Sequence, residues 1–194
     1  MNKKVLFITD NLEDLDLKKD TSILMMEESI KLGFDVYQCL VEDLYAENSE
    51  VIVFAKKITA SGSSEIKFED ASTHSIKTFK YSFMRKDPPV DEDYMNALHL
   101  LGLAQAMGTK VFNNPVSIKE FNEKVFAIHF AKYIPKTLIS SKIDKIKSFI
   151  KDKKEIVVKP LDGMGGKSIY KMDKIQESEI ETLIKMTNNE STQI

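Results

Sequence analysis

The run Val157-Val158-Lys159-Pro160-Leu161-Asp162-Gly163-Met164-Gly165-Gly166-Lys167-Ser168 concentrates residue types suited to holding an anion. Three of the chain's seven glycines stand at positions 163, 165 and 166. Glycine permits positive φ and lets backbone N–H groups approach a phosphate with no Cβ in the way. The spacing is neither that of a Walker P-loop nor that of the dinucleotide-binding fingerprint. On composition alone the segment fits a plain β-hairpin turn as well as it fits a phosphate cover. Lys159 ends the strand that leads into it and faces away from Val158 by strand alternation. Such a lysine faces either solvent or a ligand phosphate, and read singly a solvated edge lysine is the commoner answer.

A second cluster is Met84-Arg85-Lys86-Asp87-Pro88-Pro89. Of 28 basic residues, Arg85 is the one arginine. Its planar fork grips a carboxylate in a way that lysine cannot. The two prolines stop strand and helix and stiffen the segment. In parallel sheets ligands gather beyond the carboxyl ends of strands, where Arg85 is expected to lie. The two readings of the cluster are carboxylate recognition and a surface ion cluster. A third group, Asn113-Asn114-Pro115 and then Asn122-Glu123-Lys124, places Lys124 at a predicted helix start, where the dipole favours anions. Read alone, the motif fits a solvated helix face better.

Other chemistries find less support. His74, His99 and His129 are isolated from cysteines and carboxylates at metal-ligand spacing. There is no Gly-x-Ser-x-Gly elbow for a serine nucleophile. Asp91 and Asp93 read as helix N-terminal charges. Cys39, the single cysteine, lies in an apolar run and reads as a buried, inert thiol.

These residues need a scaffold, and periodicity outlines one. Val5–Thr9 predicts a buried strand, and Asp10–Asp20 a polar loop. Asp20 or Thr21 can cap a helix with Ile23, Met26 and Ile30 inward, closed by Gly33. Phe34–Leu40 predicts the next strand, giving a strand–helix–strand unit and a parallel sheet. Strands are expected at Val51–Phe54, Ile76–Tyr81 and Tyr81–Met84, with a turn at Ser61–Ser64. A helix is expected over Asp91–Met107 with Leu98, Leu101 and Ala104 inward, then a short strand at Val111 and Phe112. Ser117 or Asn122 opens further helix through Phe130. Past Pro135 the pattern restarts, with strands at Leu138–Ser140, Glu155–Lys159 and Ser168–Met172. Helices are expected at Ile143–Ile150 and Glu177–Met186. A domain boundary is expected between residues 115 and 135.

Bulk properties are those of a globular chain: 194 residues, 42% hydrophobic, 30% charged, net charge −2. The small net charge gives no electrostatic case for nucleic acid or an anionic membrane. One cysteine, an apolar N-terminal run too short for a signal peptide, and no stretch of membrane-spanning length together imply a cytoplasmic protein.

Several strings, in order along nearly the whole chain, resemble the bacterial glutathione synthetase family of the ATP-grasp superfamily. They are Leu17-Lys18-Lys19-Asp20-Thr21-Ser22, Asp43-Leu44-Tyr45, Met84 to Asp91, Asn113-Asn114-Pro115, Asn122 to Phe126, and Lys159 to Gly166. The resemblance implies an α/β chain: an N-terminal parallel-sheet preATP-grasp domain at 1–121, followed by the first part of an α+β ATP-grasp domain at 122–194. It implies ligation of γ-glutamylcysteine and glycine, with ATP as substrate and Mg²⁺ as metal, through an acyl phosphate. Lys124 and Lys159 match ATP-contacting lysines. Gly163, Gly165 and Gly166 match the loop over phosphate and intermediate, and Arg85 matches a motif facing the substrate cleft. Lys18, Asp20 and Thr21 match a motif with no assigned contact. The family's Mg²⁺ ligands are expected beyond Ile194, so no metal residue is assigned here. The chain as given is expected to be an incomplete, inactive N-terminal piece of a homotetrameric enzyme. Two other readings stand beside this one: another ATP-grasp carboxylate–amine ligase, and a non-catalytic binding module. The Arg85 segment, as a substrate-side motif, argues for the glutathione enzyme.

Overall fold

The computed structural model describes residues 3–61, 65–151, 153–161, 169–172 and 192–193. The chain divides into two compact units, Met1–Glu120 and Phe121–Ile194.

The first unit is built on β1 (Lys4–Ile8), whose apolar residues are buried on both faces. Leu6 and Ile8 enter one core and Val5 and Phe7 another. Double-sided burial explains why β1 reads as an unbroken apolar run rather than an alternating one. The helix α1 (Thr21–Lys31) begins at Asp20, whose side chain accepts from the Ser22 N–H. Ile23 and Met26 are buried, and Met26 packs with Val5, Phe7 and Val36. Gly33, at φ +76°, takes the left-handed position just past the helix, where a side chain would be strained. β2 (Asp35–Cys39) then pairs parallel with β1.

The segment from residue 44 to 79 departs most from expectation. β3 (Leu44–Glu47) and β4 (Glu50–Ser61) form a hairpin around Asn48 and Ser49, both at positive φ. Two left-handed residues are what a tight two-residue hairpin turn demands. β4 runs twelve residues, well past the expected Phe54. Lys56 and Lys57 disguise its second half: Lys57 pairs with Asp35 at 3.0 Å, and Lys56 lies over the Phe68 ring. β5 (Ile66–Phe68) and β6 (Ser72–Ser75) both add to β4. Ile76–Thr78 is a single 3₁₀ turn, not the expected strand, because Ile76 and Phe79 are both buried at a spacing of three.

β7 (Tyr81–Met84) pairs parallel with β1, and β8 (Val111–Phe112) with β7. Between them α2 (Glu92–Ala106) starts at Asp91, which accepts from the Tyr94 N–H. Leu98, Leu101 and Ala104 are fully buried, as its periodicity predicts, against Leu6, Ile8 and Met84. The strand order β3-β4-β2-β1-β7-β8 leaves the parallel strands together at one side of the sheet. A short helix α3 (Pro115–Glu120) starts two residues before the expected Ser117. Asn114 accepts from the Val116 and Ser117 N–H groups, and Pro115 occupies the first helical position, where its missing N–H costs nothing.

The second unit opens with α4 (Glu123–Phe126), capped by Asn122 and continued as a 3₁₀ turn over Ala127–Phe130. Its antiparallel sheet has the order β11-β10-β12-β9, with β9 (Ile139–Ser140), β10 (Ile156–Pro160), β11 (Tyr170–Met172) and β12 (Thr192–Gln193). The helix α5 (Ile143–Ile150) buries Ile146 and Ile150 against Ile156 and Val158. The expected turn at Ser61–Ser64 lies partly, and the helix at Glu177–Met186 wholly, outside the described residues.

Candidate active site

In the first unit the chemistry-bearing residues meet at the carboxyl ends of β1 and β7. Register places Ile8 beside Met84, so the residues that follow, Asp10 and Arg85 to Asp87, leave the sheet side by side. The Arg85 N–H donates to Ile8 O at 2.8 Å. Asp10 then ties the turn: Oδ1 takes Lys86 Nζ at 2.7 Å and Oδ2 takes the Asp87 N–H at 2.9 Å. Lys86 Nζ also donates to Asp87 O at 2.6 Å. Buried Gln38 supports the Asp10 side, donating to Thr9 Oγ1 at 3.1 Å and to Asp10 O at 3.4 Å.

The start of α1 reaches the same corner. Arg85 Nη2 donates to Thr21 Oγ1 at 2.7 Å, and Nε to Ser22 Oγ at 3.3 Å. Two strings some sixty residues apart, Asp20-Thr21-Ser22 and Arg85-Lys86-Asp87, therefore form one constellation. Among the described residues no carboxylate lies within ion-pair distance of Arg85, whereas Lys86 is paired. Burial raises the Asp87 carboxyl above its ordinary range, and the negative charges of Asp10 and Asp20 add to this. Burial likewise raises the Tyr94 phenol, helped by Asp87 and Asp10. A guanidinium with no ion-pair partner among the described residues, beside the raised Asp87 carboxyl, is an arrangement that can receive a small zwitterion. Asn113 lies at the neighbouring strand end, its Nδ2 donating to Met84 O at 3.3 Å.

In the second unit Lys124 is well buried, its side chain 10% exposed. Its Nζ donates to Leu161 O at 3.3 Å and pairs with Glu123 at 3.3 Å. Asn122 Nδ2 donates to the same Leu161 carbonyl at 3.2 Å, while its Oδ1 caps α4. Both side chains converge where β10 runs out toward the glycines. Lys159 is half-buried on β10 between buried Val158 and Pro160, opposite Gln193 in register. Gly163, Gly165 and Gly166 lie outside the described residues.

The remaining candidates stand apart. Cys39 is buried and its thiol is held well above the ordinary value by desolvation, then by Asp43. His74 packs edge-on against Tyr37 and Phe79, His129 packs on Phe126, and His99 Nδ1 lies 3.4 Å from Lys119 Nζ. Asp91 caps α2, and Lys18 is exposed, its N–H on Asp16 Oδ1 at 3.0 Å. Among the described residues no three His, Cys, Asp or Glu side chains cluster to hold a metal ion. Nor is any described helix long and apolar enough to cross a membrane. Sequence reasoning missed Asp10 and Gln38 and gave Ser22, quoted in its string, no contact, because the role of each here runs through partners distant in the chain.

Known proteins bear on this arrangement. Residues 3–119 match the model of the prokaryotic glutathione synthetase N-terminal domain, and residues 123–194 that of the prokaryotic glutathione synthetase ATP-grasp domain. The chain is 34% identical over 175 residues to the glutathione synthetase of Neisseria meningitidis serogroup A, covering 87% of this chain and 55% of that protein. It is 31% identical over 188 residues to the glutathione synthetase of Vibrio vulnificus strain YJ016, covering 96% of this chain and 59% of that one. The chain thus spans little more than half the length of these relatives. In fold it resembles the RimK domain ATP-grasp protein of Sphaerobacter thermophilus, with TM-score 0.60 and 13% identity over 98% of this chain and 62% of that one. With both domain models matched in order, the chain belongs to the prokaryotic glutathione synthetase family.

Proposed function

We propose that the whole protein is a cytoplasmic glutathione synthetase, joining γ-glutamylcysteine to glycine at the expense of ATP. The observation that carries this reading is the ordered match of both family domains, and the Arg85 constellation at the carboxyl ends of β1 and β7 supports it. A carboxylate is a poor electrophile. In the proposed reaction its oxygen attacks the γ-phosphorus of ATP and ADP leaves. The glycine amine then attacks the acyl carbonyl, and phosphate departs with one former carboxylate oxygen. The protein's part is to neutralise phosphate charge, align the reactants and keep water from the acyl phosphate.

In this reading Arg85 takes a carboxylate of γ-glutamylcysteine. Lys124 and Lys159 face the phosphates of ATP, and the amides of Gly163, Gly165 and Gly166 close over phosphate and intermediate. Mg²⁺ accompanies ATP in this class of reaction. The described residues offer it no ligand set, and none of the roles assigned here runs through it. The division at 121/122, with one domain for the acid substrate and one for ATP, and the homotetrameric assembly belong to the same proposal.

The test is ADP release by the complete gene product, given γ-glutamylcysteine, glycine, ATP and Mg²⁺, with each amino substrate left out in turn. Release that requires both supports the assignment. Release with a different acid and amine pair would mean another carboxylate–amine ligase, and no release with any pair would mean a binding module.

A further inference from the structure

We infer that Thr21 and Ser22, on the first turn of α1, are positioning residues whose hydroxyls aim the Arg85 guanidinium at the substrate carboxylate. The inference rests on the reading of Arg85 given above. Guanidinium has five N–H donors, and two of them are committed here: Nη2 to Thr21 and Nε to Ser22. Both contacts lie along the edge shared by Nε and Nη2. What is left is the edge formed by Nη1 and the second Nη2 proton, which matches a carboxylate bidentately.

The chemistry of the two partners matters as much as their place. A carboxylate in their position would cancel the guanidinium charge, whereas hydroxyls hold the group and leave its charge intact. The neighbouring cation is treated in the opposite way, since Lys86 is paired with Asp10 at 2.7 Å. Of the two adjacent cations, only Arg85 is without a carboxylate partner among the described residues. Of the two holders Ser22 is itself fixed: it is 2% exposed, and its N–H donates to Asp20 Oδ1 at 2.6 Å, while Thr21 holds Arg85 from the exposed side. Because Asp20 already caps α1, the helix does not need the two hydroxyls for capping. A long side chain held in its bound direction before substrate arrives loses less freedom on binding.

The test compares Thr21→Val with Thr21→Ser in the complete gene product. Losing one hydrogen bond to a charged group corresponds to a rise of about tenfold in KM for γ-glutamylcysteine. KM for glycine and for ATP should stay within about twofold, and Thr21→Ser should behave like the parent. A second readout uses the 194-residue chain, in which Arg85 is the one arginine and gives a single ¹⁵N Nε–H signal. Its exchange with water should be slow in the parent chain and faster in the Thr21→Val/Ser22→Ala pair. Unchanged KM in Thr21→Val, damage by Thr21→Ser equal to that by Val, or a parallel rise in all three KM values with a fall in Tm would each overturn the inference. So would unchanged Nε–H exchange. If the gene product makes no glutathione yet the double substitution frees the Arg85 signal, the substrate assignment fails while the hydroxyl hold on Arg85 stands.

Discussion

Asp10 shows how one side chain can organise a turn that begins seventy-five residues later. It accepts from both Lys86 Nζ and the Asp87 N–H, with Lys86 only 19% exposed. Asp10→Ala would strand an ammonium and a backbone donor together. Part of that loss is offset, because Asp87 is relieved of a neighbouring negative charge that helps raise its pKa. The net expectation is a loss of about 1–3 kcal/mol in unfolding free energy by urea titration, with Asp10→Asn intermediate because its amide oxygen still accepts from Asp87. A change below about 0.5 kcal/mol would place the bridge among surface ion pairs of little consequence. At this scale Arg85 is legible in the sequence, as one arginine among lysines at a strand end before two prolines. Asp10 and Ser22 are not, since an acidic loop and a helix-start serine have ordinary local explanations. Only the register of β1 against β7 reveals their second role.

The elements the sequence predicts well are those whose pattern comes from burial alone. β1, α1, α2 and α5 carry their apolar residues at the periods that their cores require. β4 hides because its lysines find partners across the sheet, Asp35 for Lys57 and the Phe68 ring for Lys56. β3 hides because its turn, Asn48-Ser49, lacks the glycine that usually marks a two-residue hairpin. β6 makes a prediction of its own through His74, whose ring packs on Tyr37 and Phe79. Burial first, and then the charge of Lys4, lowers its pKa below the ordinary value of 6.5. The folded ring refuses a proton that the unfolded chain accepts. Its contribution to stability is therefore complete above pH 6.5 and is lost as pH falls toward the folded value. Thermal unfolding of the chain should show Tm declining as pH drops through this window, and His74→Phe, which keeps the ring contacts, should flatten the decline. An unchanged slope in the variant would assign the acid sensitivity to other groups.

Across the whole molecule, the two units carry different halves of the proposed chemistry: an arginine fork at the carboxyl end of a parallel strand pair, and a buried lysine beside the entry to a glycine-rich segment. The order of these halves can be read from sequence because each string is local. The conformation of the glycines over a ligand cannot, because composition fits a hairpin turn and a phosphate cover alike. The central claim is that the protein activates a carboxylate with ATP before the amine attacks it. The most direct measurement supplies γ-glutamylcysteine labelled with ¹⁸O in its cysteinyl carboxylate to the complete gene product, with glycine, ATP and Mg²⁺, and analyses the released phosphate by mass spectrometry. The account predicts one ¹⁸O transferred to phosphate for each glutathione formed. Phosphate free of ¹⁸O, with glutathione still produced, would contradict it.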